Sequence, residues 1–146
     1  MPELALGTAH ISASPGENPS HPKFVGFLPE RVHRSVHLAL ESGIRHIDTA
    51  LCYRNHTQIA HVMGDFFASG RLERQDVFLT SKVFHPDTAG FTTDGNTMPE
   101  TLEGMSPAEV TECVKEHFET LLCELGVGYV DLMLLHWPGD NAGRVR

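Results

Sequence analysis

Asp48, Tyr53, Lys82 and His136 are four residues whose types, taken together, could do chemistry. A phenol ordinarily titrates near pH 10, and an ammonium beside it favours the phenolate and lowers that value. A carboxylate next to the ammonium holds the cation in place. In such a set Tyr53 becomes a proton donor near neutral pH, able to protonate a carbonyl oxygen. Neutral His136 can donate a hydrogen bond to the same oxygen and so position the substrate. Singly, each residue has a plainer explanation. Asp48 and Lys82 could be an ion pair between strands, His136 a satisfied core histidine and Tyr53 a packing aromatic. Their shared placement is what favours chemistry.

That placement follows from the period of two along a strand. In "IRHIDTA" (44–50) Ile44, His46 and Asp48 share one face. In "DVFLTSKV" (76–83) Phe78, Thr80 and Lys82 do, and in "YVDLMLLHWP" (129–138) Leu132, Leu134 and His136 do. Each series ends in an ionisable residue at the C-terminal end of its strand. Parallel barrels gather those ends on one rim, where active sites form. Tyr53, in the loop after the second strand, can lean over the same rim.

The elements that must position these residues alternate. "LALGT" (4–8) reads as a first strand, and residues 10–29, with four prolines and two glycines, read as loop. A helix is predicted over 29–43, with Val32, Val36, Ala39 and Leu40 on one stripe and Gly43 as its stop. A second carries Ile59, Val62, Met63, Phe66 and Phe67 and stops at Gly70. A third opens with Ser106, Pro107 and Glu109, a capping box, and its stripe runs from Val110 through Cys113, Val114, Phe118, Leu121 and Leu122 to Leu125. The fourth strand is nearly continuous in apolar residues, as one buried on both faces should be. Residues 85–105 form a polar insertion expected at the catalytic rim. The order β-α-β-α-β-α-β predicts an α/β chain with a parallel sheet in sequence order. That is the wall of a (β/α)8 TIM barrel with only the first four β-strands and three helices present, although an open doubly wound sheet shares the periodicity.

Composition narrows the function classes. A net charge of −8 over 146 residues argues against nucleic-acid and anionic-membrane partners. No run approaches the roughly 20 apolar residues of a membrane span. "MPELALGTAH" has no basic, apolar leader, so no signal peptide is expected. Cys113 and Cys123, ten residues apart on one helix, stand about 15 Å apart and cannot pair. With Cys52 they make three free thiols, which suits a cytoplasmic protein. His33 and His37 have zinc-binding spacing but no third ligand, so they read as a solvated helix face and no metal is expected.

In "GIRHIDTALCYRN" (43–55), "FLTSKV" (78–83) and "LGVGYVDLMLLHWP" (125–138), with "LGT" (6–8) as a weaker match, the chain resembles the aldo-keto reductases. These are NADPH-dependent carbonyl reductases on a (β/α)8 barrel. The resemblance implies that Asp48, Tyr53, Lys82 and His136 form the catalytic tetrad, with Tyr53 as the acid. It also implies that Gly7, Thr8 and Asp48 lie near the nicotinamide, and that Phe84 and Trp137 border the substrate pocket. Two positions depart from the family's usual pattern. His56 stands where a glutamate usually follows the asparagine, and Phe84 stands where tryptophan is frequent.

The family has eight strands, and most of its cofactor contacts lie in the second half. Residues 1–146 therefore correspond to the N-terminal half of such a barrel, with unpaired edges that invite self-association. Three explanations stay open: a fragment of a longer enzyme, a natural half-length product that dimerises, or a catalytically silent half-barrel serving as a binding or assembly module. The first expects a small carbonyl substrate and NADPH. The last expects neither, and the piece alone is expected to be inactive.

Overall fold

The computed structural model describes residues 1–9, 11–14, 23–27, 29–83 and 105–136, with the backbone alone for 11–14, 23–27 and 29. Four parallel strands form one sheet in the order β1 (Leu6–Gly7), β4 (His46–Asp48), β5 (Phe78–Val83) and β6 (Leu132–Leu135). Helices α1 (Pro29–Glu41), α2 (His56–Ala68) and α3 (Pro107–Leu125) form the three crossovers between them. Successive strands are neighbours, as right-handed β-α-β units require. The expected barrel wall is the one that forms.

Helix ends fall where the chain chemistry puts them. Pro29 opens α1, where its missing N–H costs nothing. Ser106 and Glu109 close the expected capping box at the start of α3, and Gly126 ends that helix with φ of 64°, a left-handed conformation natural to glycine. The apolar stripes of α1 and α2 bury Val32, Val36, Leu40, Ile59, Val62, Met63 and Phe66 against Ile47 and Leu79 of the sheet. Each such side chain stabilises the fold by about 1.5–3 kcal/mol.

Two expectations change. Residues 10–29 are not loop throughout: β2 (Ile11–Ser14) and β3 (Lys23–Phe27) pair antiparallel, with an irregularity between Ser12 and Ala13. Neither strand contains a proline, so all four prolines fall outside the paired residues, while Gly26 is accommodated within β3 opposite Ser12. The fourth strand is also not covered on both faces. In β6 Leu134 and Leu135 are 38% and 55% exposed. No described strand pairs with its free edge, so its apolar run is an edge rather than the middle of a sheet. The long stripe of α3 is likewise only partly used: Leu121 and Leu125 are buried while Val114 is exposed.

Candidate active site

The rim at the C-terminal ends of β4, β5 and β6 holds all four residues singled out for chemistry. Asp48 is level with Thr80 in the parallel register, so Lys82 lies two residues further toward the rim. Its ammonium leans back and donates to Asp48 Oδ1 at 2.5 Å and to the Thr49 carbonyl oxygen at 2.9 Å. Two partners from one neighbouring strand fix it. It also stands 5.3 Å from the centroid of the Tyr53 ring, inside cation–π range.

Tyr53 is carried by a short 3-10 turn, Leu51–Tyr53, closed by Arg54 in a left-handed conformation with φ of 52°. His136 continues β6, its backbone N–H donating to the Val83 carbonyl oxygen at 3.0 Å. The two side chains meet edge to face, with ring centroids 5.5 Å apart and planes at 81°. Tyr53 Oη lies 3.5 Å from His136 Nε2, the outer edge of a hydrogen bond. On its other side, His136 Nδ1 lies 3.4 Å from Cys52 Sγ.

The electrostatics correct one expectation. Tyr53 is not made acidic: burial, reinforced by Cys52 and Asp48, pushes its phenol up to about 12. Loss of water around the phenol is the largest cause, and it outweighs any attraction to the nearby ammonium. Tyr53 is consequently a phenol, with its proton in place, throughout the neutral range. Burial also lowers His136 below the usual histidine range, and Lys82 adds to that effect, so the imidazole is neutral at pH 7 as expected.

Gly7 and Thr8 sit beside this cluster at the end of β1, and they differ. A Cβ at Gly7 would meet no atom of the described residues within 4 Å. Thr8 is fully buried, and its hydroxyl donates to the Asp48 carbonyl oxygen at 3.0 Å. Its contribution is to pin β1 to β4. Phe84, Trp137 and the 85–105 segment, apart from Met105, lie outside the described residues.

Sequence reasoning missed Asn55. By position it is the N-cap of α2, yet its side chain does not cap the helix. Its Nδ2 donates to the Thr8 carbonyl oxygen at 2.8 Å, and its Oδ1 accepts from Thr49 Oγ1 at 3.0 Å. It thus ties the ends of β1 and β4 to the start of α2, directly behind Asp48. Asparagine before a helix reads as a cap, which concealed this role. Asn55→Ala should leave a buried acceptor and a buried donor unpaired and cost about 3 kcal/mol, read as a lower urea midpoint at unchanged slope. His56, the departure from the usual glutamate, is buried with Nδ1 2.9 Å from Glu124 Oε2 on α3. The acid at this junction is therefore supplied from the neighbouring helix.

Four parallel strands wrapped by crossover helices, with a lysine–carboxylate pair, a phenol and an imidazole on the C-terminal rim, define part of a (β/α) barrel with a polar rim site. The sequence model of the Aldo/keto reductase family matches residues 3–142, and the chain belongs to that family. It is 34% identical over 104 residues to aldose reductase B of Dictyostelium discoideum, covering 71% of this chain and 27% of that protein. It is 31% identical over 144 residues to an aldo-keto reductase of Mycobacterium tuberculosis, covering 99% of this chain and 36% of that one. Among solved structures, an aldo-keto reductase of Bombyx mori in complex with NADP superposes with a TM-score of 0.64 at 26% identity, over 94% of this chain and 35% of its own. The aldose reductase of Schistosoma japonicum superposes with a TM-score of 0.60 at 28% identity, over 94% of this chain and 34% of its own. The chain thus spans about a third of the length of the relatives it matches.

Proposed function

We propose that this chain carries the proton-donating part of an NADPH-dependent reductase acting on an aldehyde or ketone. The observation that carries the reading is the 3.5 Å separation of Tyr53 Oη and His136 Nε2, on the rim that also holds the Lys82–Asp48 pair. Two groups that far apart both reach a point about 2.8 Å from each, which is where a carbonyl oxygen would sit. The Bombyx mori relative's complex with NADP supports the choice of cofactor. That no atom of the described residues lies within 4 Å of a Cβ at Gly7 supports a place for a flat ring at the end of β1. Gly7 and Asp48 would border that ring while Thr8 holds their strands together.

Bound there, NADPH supplies a hydride to the carbonyl carbon. The chain's own residues act on the oxygen. His136 orients it with an N–H, and Tyr53 passes it the phenolic proton as negative charge builds up, giving the alcohol. The phenolate left behind stands beside Lys82 until water returns the proton. Residues that grip the rest of the cofactor belong to the second half of the barrel. The free thiols of Cys52, Cys113 and Cys123 are consistent with a reducing cytoplasm. No helix among the described residues is long and apolar enough to cross a membrane.

A second reading, a silent half-barrel that binds a partner, draws on the exposed Leu134 and Leu135 of the β6 edge. One assay separates the two. The protein containing this chain should oxidise NADPH only when an aldehyde is present, at a rate unchanged from neutral through the ordinary phenol range near pH 10 and falling as pH approaches about 12. The sign follows from Tyr53, whose raised value keeps the donor protonated until about pH 12. No aldehyde-dependent oxidation, with partner binding retained, would favour the silent module.

A further inference from the structure

Cys52 and Tyr53 are adjacent on one 3-10 turn, and they face the two nitrogens of a single imidazole. Cys52 Sγ is 3.4 Å from His136 Nδ1, and Tyr53 Oη is 3.5 Å from Nε2. A neutral imidazole has one N–H and one bare nitrogen, so these contacts can be satisfied in only two ways. In one, Nδ1–H points at sulfur and the tyrosine hydroxyl donates to Nε2. In the other, the thiol donates to Nδ1, and Nε2–H faces the tyrosine oxygen and the space beside it.

We propose that Cys52 is a positioning residue that fixes the Nε2–H tautomer of His136 by donating its S–H to Nδ1. The proposal deepens the reductase reading and rests on it for its consequence. Three observations converge. Cys52 is only 6% exposed, which limits competition from water for its proton. Burial pushes the thiol up to about 12, so the proton is present at neutral pH. A thiol is weak both as donor and as acceptor, so the better of its two possible bonds is the one made to a good acceptor, the bare imidazole nitrogen.

The alternative arrangement would also defeat the rim's chemistry. It would tie up the Tyr53 proton in a bond to His136 and leave no N–H for a carbonyl oxygen. With the thiol as donor, Nε2–H and the phenolic proton are both oriented as donors toward the place where that oxygen would sit. The same turn thus delivers the acid and orients its helper.

The test needs no turnover. With the histidines of the chain labelled with 15N, two-bond 15N–1H correlations at about pH 8 distinguish Nε2–H from Nδ1–H for neutral rings. His136 is assigned by comparison with His136→Gln. The native chain should show Nε2–H with a bare Nδ1. Cys52→Ala should lower the Nε2–H to Nδ1–H ratio about fivefold, the equivalent of one neutral hydrogen bond. Cys52→Ser, whose hydroxyl also donates, should keep the native ratio. His46, whose Nε2 lies 2.8 Å from Thr80 Oγ1 between β4 and β5, reports whether the sheet beneath the rim is intact. If Cys52→Ala disturbs its signal, the native spectrum and Cys52→Ser carry the test. A native Nδ1–H, or an unmoved ratio in Cys52→Ala with His46 unchanged, overturns the proposal. Either result leaves the reductase reading to its own assay, and failure of that assay leaves the tautomer measurable.

Discussion

Tyr53→Phe is expected to lower kcat for carbonyl reduction by about 10²- to 10⁴-fold, the range of a positioned general acid, while NADPH binding changes little. The substitution removes one oxygen and leaves the ring. The edge-to-face packing on His136 and the Lys82–ring contact both survive, so the fold should be undisturbed. The phenol's burial sharpens the expectation. A group with its value near 12 is a weak acid, and it transfers its proton only as the carbonyl oxygen becomes an alkoxide. Substrate binding needs little from that proton, so the loss should fall on kcat rather than KM. Removing a half-buried phenol should also abolish a stability loss between about pH 10 and pH 12. Its folded value is raised, so its contribution is complete below pH 10 and disappears as pH climbs through the folded value. Equal turnover by Tyr53→Phe and the native protein would remove the basis of the proposed function.

The sequence revealed most where one period dominated. The period of two placed Asp48, Lys82 and His136 at strand ends, and the helical stripes of α1 and α2 located the buried core. What it concealed depended on neighbours distant in the chain. Nothing in "ALCYRN" shows that Cys52 meets a histidine 84 residues later, or that Asn55 turns away from its own helix toward Thr8. The acidity of Tyr53 misled for a related reason. Residue types showed that a cation held by Asp48 would be close, but not that loss of water around the phenol would outweigh it. Edges were misread as well. The apolar run of β6 is identical whether or not a fifth strand covers it, so burial inferred from composition overstated what four strands supply.

Lys82→Met is the second large effect, and pairing it with Asp48→Asn separates two roles of the ion pair. Alone it leaves the Asp48 carboxylate without its cation and the Thr49 carbonyl oxygen without a donor. A fully buried pair broken this way costs 3–5 kcal/mol. Here the Asp48 side chain is 32% exposed, so water recovers part of that and about 2 kcal/mol is expected. Asp48→Asn in the same chain removes the stranded charge, and the double variant should regain about 1 kcal/mol relative to the sum of the single ones, measured as a urea-unfolding cycle. Turnover should not follow stability. The ammonium stands 5.3 Å from the centre of the ring that becomes a phenolate when Tyr53 gives up its proton, and an amide beside a thioether replaces none of that field. Both Lys82→Met and the double variant should therefore lose at least about 10²-fold in kcat. A double variant that recovers turnover along with stability would show that the lysine serves only to hold β5 against β4.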